Sequence, residues 1–157
     1  MNGFVLAEQG HLAMPLAPVS ISGGKTGACF HMKQHNHASI IIPIGVSAAA
    51  PTSIVVKQCT DSSGAGATAI PFNYYAMTTA AGDTLGARTA ATASGITSVS
   101  ANDGIFYVIE LDSAELADGS PYVQVVIADS GNTTYAAILV VLSGGRDQRA
   151  QSSTVIT

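Results

Sequence analysis

The sequence predicts an all-β fold, a single β-sandwich or jelly-roll-like domain, and three observations favour it. Residues 104–112 alternate in the two-residue period of a strand, with one wholly apolar face made by Ile105, Tyr107, Ile109 and Leu111. About eight short segments of this kind are separated by turn residues, and hardly any segment has a helical period. A length of 157 residues suits one domain and leaves no room for a second of full size.

Three strands form the predicted core. Segments 122–128 and 135–142 follow the strand at 104–112 after short connections, so we expect each to pair antiparallel with the one before it. The last of them is apolar on both faces. It should therefore lie inside a sheet or be covered by a second layer.

The first half of the chain carries further strands, which we predict at residues 29–33, 38–46, 53–60 and 69–77. In the second of these, one face is formed by Ile40, Ile42, Ile44 and Val46. Because Pro43 has no N–H, this strand should run along a sheet edge or carry a bulge.

Weaker structure is expected in two connections. Residues 78–101 are dominated by Ala, Thr, Gly and Ser, and we expect one or two weak strands there. Asp112 is followed three positions later by Glu115, a spacing that predicts a single helical turn.

Both ends of the chain differ from the predicted domain at residues 25–145. Residues 1–24 suggest an extended N-terminal arm and residues 146–157 a polar C-terminal tail. The arm either docks on a neighbouring subunit or lies irregularly over its own core. Its candidate interface residues are apolar, namely Phe4, Val5, Leu6, Leu12, Met14 and Leu16.

The composition is poor in charge. Charged residues make up 10% of the chain, against about a quarter in ordinary domains, and mean hydropathy is +0.35. Such a surface suggests that other subunits cover part of the exterior.

Nucleic acid and membrane are disfavoured as partners. The net charge is −4, and the six Lys and Arg residues are scattered, whereas phosphate binding needs a basic cluster. The longest apolar stretch, residues 38–50, contains Pro43 and Gly45 and is too short to span a bilayer. No basic residue precedes Lys25, so no export signal is visible. We expect a soluble protein made in a cytoplasm.

The two cysteines leave two alternatives open. Cys29 and Cys59 could form one disulfide, but two cysteines do not make a disulfide scaffold. Buried, reduced thiols are the favoured interpretation.

A histidine cluster is the strongest candidate for metal chemistry. In a continuous extended run, three imidazoles would share one face with Cys29, those of His31, His35 and His37. Zinc or copper can use such ligands. However, Lys33 would lie among them and repel a cation, and no carboxylate lies nearby in the sequence to orient the rings. A polar strand end, placed between subunits or not, is the favoured interpretation, and no cofactor is predicted.

Catalytic motifs are not found. Residues 22–26 end like a phosphate-binding loop, but Val19 stands where that motif requires glycine. The spacing of Asp112, Glu115 and Asp118 does not match a calcium loop, and there is no Gly-x-Ser-x-Gly elbow. We therefore do not expect an enzyme.

Several segments together resemble a family of small structural proteins from tailed bacteriophages that decorate, or cement, the capsid shell. The segments that carry the resemblance are residues 39–45, 56–64, 69–72, 107–116, 122–128 and 137–140. The resemblance covers residues 29–146. It implies a β-sandwich on the capsid surface of the virion that binds the major capsid protein and stabilises the shell. It also implies a homo-oligomer, either dimer or trimer.

Two other functions remain open at this point. The first is another head or tail component, such as a head-to-tail joining or tail-tube subunit, which assembly into rings of fixed symmetry without any shell would favour. A carbohydrate-binding β-sandwich is less favoured because sugar sites use exposed aromatic side chains, and the chain has five Tyr, four Phe and no Trp.

Overall fold

The computed structural model describes residues 3, 5–145 and 155–156, and these form two antiparallel β-sheets packed face to face. The predicted all-β sandwich is confirmed. The elements in chain order are α1 (Leu6–Gln9), β1 (His11–Ser20), β2 (Lys25–Thr26), β3 (Phe30–His31), β4 (His35–Ser47), β5 (Ile54–Cys59), β6 (Thr68–Ala69), β7 (Phe72–Met77), β8 (Thr89–Ala91), β9 (Ile105–Asp112), a 3₁₀ turn (Ser113–Glu115), β10 (Tyr122–Ile127) and β11 (Thr134–Gly145).

The large sheet has six strands in the order β1-β11-β4-β9-β7-β8. The small sheet has the order β2-β10-β5-β6, and β3 also pairs with β10. No helix among the described residues is long and apolar enough to cross a membrane.

The core lies between the two sheets and follows the two-residue period of each strand. From the large sheet, β4 contributes Ile40, Ile42 and Ile44, each at most 1% exposed, and from the small sheet β10 contributes Val123 and Val125. Burial of an aliphatic side chain contributes about 1.5–3 kcal/mol to folding. The alternating apolar residues therefore fix which face of each strand points inward.

The predicted three-stranded meander is wrong. Strand β9 pairs with β4 and β7, β10 lies in the small sheet, and β11 pairs with β1 and β4. The chain changes sheet after β9 and again after β10, so these strands face one another across the core. The interior position predicted for the doubly apolar strand is confirmed, since β11 lies between β1 and β4.

Pro43 does not mark a sheet edge. Strand β4 lies between β11 and β9, and Pro43 stands opposite Phe106 with the β9 register unbroken. The pairing with β11 does shift between Ile44 and Ser47, as a bulge would. This shift resets the alternation, so Val46 is 66% exposed instead of sharing the buried face.

The structure also shows what the remaining predicted segments form. The strand predicted at residues 69–77 is divided at Pro71, because β6 belongs to the small sheet and β7 to the large one. The 78–101 connection contains β8 and a bridge between Ile54 and Ile96. The predicted helical turn is confirmed as a 3₁₀ turn, in which the Asp112 N–H donates to Glu115 Oε2 at 2.8 Å.

Most of the predicted N-terminal arm is a strand of the sandwich. Residues 11–20 form β1, which pairs with the otherwise free edge of β11. A strand that is apolar on both faces is most stable with backbone partners on both sides, and β1 supplies the second partner. The sandwich therefore begins at His11 and not at Lys25.

In the predicted C-terminal tail, residues 146–154 and 157 lie outside the described part, while Ile156 bridges to Phe30.

Both cysteines are buried and unpaired, which confirms the interpretation as reduced thiols. Cys59 is on β5 opposite Tyr122, while Cys29 Sγ accepts a hydrogen bond from Gln124 Nε2 at 3.4 Å. The two thiols are neighbours, but neither takes part in a disulfide. Burial, followed by the neighbouring Cys29, raises the pKa of Cys59 to about 11, which makes its thiol unreactive.

We predict that a water-soluble thiol reagent such as Ellman's reagent modifies neither cysteine in the native protein under non-reducing conditions. In denaturant it should modify both, because the fold is what shields them. A reduced and denatured sample gives the control value. A denatured but unreduced sample without free thiols would contradict the assignment of Cys29 and Cys59 as reduced thiols.

Candidate functional site

The outer face of the large sheet is the most unusual surface of the molecule. Side chains alternate across a strand, so the residues between the buried ones point away from the core. On β1, β4, β9 and β11 most of these outward residues are apolar, and the polar ones, such as His37, Glu110 and Asp112, lie at one end. We call the apolar residues among them the apolar face: Leu12, Met14, Ile41, Pro43, Phe106, Val108, Tyr135, Leu139 and Val141.

The strand registers make this face continuous. Leu139 stands opposite Ile41, and Ile41 stands opposite Val108. On the next strand, Val108 stands opposite Tyr75. Leu12 is paired with Val141 at the β1 edge. Neighbouring residues in these positions have their side chains in contact range.

The exposure of the face is high for such side chains. Leu12 and Met14 are each 50% exposed and Tyr135 is 48% exposed, while the residues on the central strands keep intermediate exposure. An antiparallel sheet with one solvated face usually has polar residues there. Contiguous exposed apolar patches mark protein–protein or membrane interaction sites or ligand-binding grooves.

The adjacent edge of the sheet is poorly suited to adding another strand. Edge strand β1 contains Pro15 and Pro18, and its pairing with β11 shifts twice, between Ala13 and Leu16 and between Leu16 and Val19. Prolines and irregular pairing blunt an edge. The surface offered for contact is therefore the face of the sheet.

The structure places the predicted interface residues in different environments. Leu12 and Met14 lie in the apolar face, whereas Leu16 packs against the core. Val5 and Leu6 are 42% and 36% exposed beside and within α1. Phe4 lies outside the described residues.

A hydrogen-bonded ionic network closes one end of the face. His37 on β4 projects between two carboxylates of β9: its Nδ1 donates to Asp112 Oδ1 at 2.7 Å, and its Nε2 donates to Glu110 Oε2 at 2.8 Å. Ser39 Oγ donates to the same Glu110 oxygen at 2.6 Å. Since both ring nitrogens of His37 face acceptors, the geometry favours the imidazolium.

The network is not arranged as a serine hydrolase site, although Ser39 Oγ lies 3.4 Å from His37 Nε2. Glu110 accepts the hydrogen bonds of both groups. A general base must be neutral to take a proton from serine, whereas the two carboxylates beside His37 favour its charged form. The network instead joins β4 to β9 and neutralises charge beside the apolar face.

The pKa of His37 lies above its ordinary value. Partial burial acts to lower the pKa, but hydrogen bonds to Asp112 and Glu110, together with their charges, outweigh it. Because the folded-state pKa is raised, the stability that His37 contributes is fully present below about pH 6.5 and is lost as pH rises through the folded pKa.

The three candidate metal ligands do not meet. The extended run expected from residues 29–37 is interrupted by a turn in which the His35 N–H donates to the Met32 carbonyl at 3.2 Å. His31 therefore lies in the small sheet, while His35 and His37 belong to β4 of the large one. Within the described residues, no three His, Cys, Asp or Glu side chains are arranged to hold a metal ion.

The carboxylate partners of His37 were missed by sequence reasoning because they lie 73 and 75 residues away. The signal was partly present. Glu110 and Asp112 stand on the outward face of the predicted strand at 104–112. Only the pairing of β9 with β4 reveals that this face meets His37.

We predict that His37→Gln lowers the free energy of unfolding by about 1 kcal/mol at mildly acidic pH, a modest value because water screens the partly exposed network. The difference from wild type should shrink as pH rises above neutrality, because wild-type His37 then loses its charge. Denaturant unfolding at several pH values measures it.

Ser39→Ala serves as the matched control for this variant. It removes one hydrogen bond to Glu110 but leaves the imidazole between its carboxylates. Its cost should depend less on pH. A destabilisation by His37→Gln that grows towards alkaline pH would contradict the raised pKa.

Comparisons of the chain with protein-family models, with curated proteins and with solved structures each found no match.

Proposed function

We propose that this protein is a structural virion subunit that binds the outside of a phage capsid shell and stabilises it, using the apolar face of the large sheet. The observation that carries the proposal is that the apolar face runs across four neighbouring strands, with intermediate exposure on the central strands and with Leu12 and Met14 half exposed at its edge. The resemblance described above suggests the shell as partner. The partner surface would be an apolar part of the major capsid protein.

The charge distribution supports assembly through this face. Charged residues are only 10% of the chain. Two carboxylates at one end of the face, Glu110 and Asp112, are already hydrogen-bonded to His37. A partner can therefore cover the apolar residues without burying an unpaired charge, which would be costly.

The energetics suit an array of identical weak contacts. Full burial of a Leu or Met side chain contributes about 1.5–3 kcal/mol, and Leu12 and Met14 have about half of that still available. Association itself costs several kcal/mol in lost motion. A modest affinity for each copy still stabilises a shell on which many copies bind.

Introducing negative charge into the apolar face should weaken binding to the shell. The double variant Leu12→Glu with Met14→Glu should reduce occupancy on shells by more than about tenfold, because docking would then bury two carboxylates. Electron microscopy and co-sedimentation with shells of the parent particle measure occupancy. The variant should remain folded, because both side chains point away from the core.

Leu85→Glu is the matched control. Leu85 is 42% exposed but lies in the connection between β7 and β8, at the opposite edge of the large sheet from β1. Its occupancy should equal that of wild type. Unchanged binding by the double variant would contradict the use of this face. Closed rings formed without any shell would instead favour a head-to-tail joining or tail-tube subunit.

A further inference from the structure

Three histidines lie near one another at one end of the sandwich, one on β1 and two on either side of the turn before β4. His11 begins β1, His31 ends β3 and His35 begins β4. The ring centroids of His11 and His35 are 5.9 Å apart, and their planes are tilted by 44°. This end of the sandwich is where the edge strand β1 begins its pairing with β11, with His11 opposite Leu142.

His35 is the buried member of this cluster. It is 5% exposed, and within the described part of the chain its Nδ1 has no hydrogen-bond partner. The turn before it, closed by the His35 N–H and the Met32 carbonyl, fixes the ring at the start of β4. A neutral imidazole tolerates such a site far better than a charged one.

The ionisable neighbours of His35 within the described residues are histidines, which become positively charged on protonation. The ionisable groups in the described chain that act on it are His11 from β1 and His31 from β3. Beyond His31 lie the Tyr122 ring of β10, 6.0 Å from it, and the Lys33 ammonium, 4.9 Å above Tyr122. On β11, the residue opposite His35 is Gly145, which carries no charge.

His37, only two residues further along β4, has the opposite environment. It lies between Glu110 and Asp112, which favour its charged form. Burial, followed by the charges of His11 and His31, lowers the pKa of His35. One strand therefore carries one histidine that favours the fold when protonated and one that favours it when neutral.

We propose that His11, His31 and His35 form an acid-sensitive clasp whose protonation releases the first half of β1 from β11 and loosens the turn before β4. Imidazolium groups on three segments repel one another, and His35 has no carboxylate among the neighbours described above. The segment that opens is the one that can move, because β1 is an edge strand with an irregular register.

The direction of the effect follows from linkage. A folded-state pKa below the ordinary value means that neutral His35 favours the closed clasp above about pH 6.5. This contribution is lost as pH falls below that value. The His37 network, by contrast, keeps its full contribution in acid, so β4 and β9 should stay paired while β1 opens. The clasp is a property of the isolated chain and does not depend on what the apolar face binds.

Hydrogen exchange followed by mass spectrometry tests the clasp on the full chain at roughly pH 7.5 and pH 5, after correction for the intrinsic exchange rate. Acid should speed the opening of residues 11–16 and 31–36 severalfold, with no matching change in β9 or β10. The variant His35→Leu should abolish the acid response, and His37→Gln should retain it.

Two results would overturn the proposal: equal protection of residues 11–16 at both pH values, or an acid response that persists in His35→Leu. Uniform opening of both sheets would also contradict it, since that is global acid unfolding. Should His35→Leu fail to fold, His11→Gln and a nuclear magnetic resonance titration of the wild-type histidines decide the matter. The clasp requires a weaker acid response in His11→Gln and a His35 midpoint below that of a free histidine.

Discussion

The structure depends on the backbone pairing of β11 with strands on both of its sides. β11 is apolar on both faces and lies between β1 and β4. Its inward residues, such as Ile138 and Val140, are fully buried in the core. Its outward residues, Leu139 and Val141, lie in the apolar face. A strand of this kind holds the domain together and, by the same alternation, leaves a surface that another molecule can cover.

Much of the fold could be predicted because strand alternation is a local signal. The strands at 104–112 and 122–128 were located to within a residue or two. Their sheet membership could not be predicted, because alternation shows which residues face the core but not from which side they reach it. Strands that follow one another closely in a sandwich can pair or can oppose each other across the core. β9 and β10 do the latter.

The candidate site was less predictable, for a related reason. Leu12, Met14 and Leu16 share one parity in the sequence, and a regular strand would put all three on the same face. The register shift between Ala13 and Leu16 resets the alternation, so that Leu16 packs inward while the other two stay exposed. A single sequence shows neither this shift nor the pairing of β9 with β4, which brings the outward carboxylates of β9 to His37.

The pairing of β1 and β4 with β11 also has a consequence for the order of events during synthesis. Val140, near the middle of β11, is joined to Ala13 on one side and to Ile40 on the other, so the large sheet closes through contacts between residues about a hundred positions apart. Contacts of such high sequence separation form slowly. Until the ribosome has made β11, one edge of β4 has no backbone partner. The part of the apolar face that β11 supplies is also missing until then. The apolar surface is therefore completed only after β11, the last strand of the large sheet, has been synthesised.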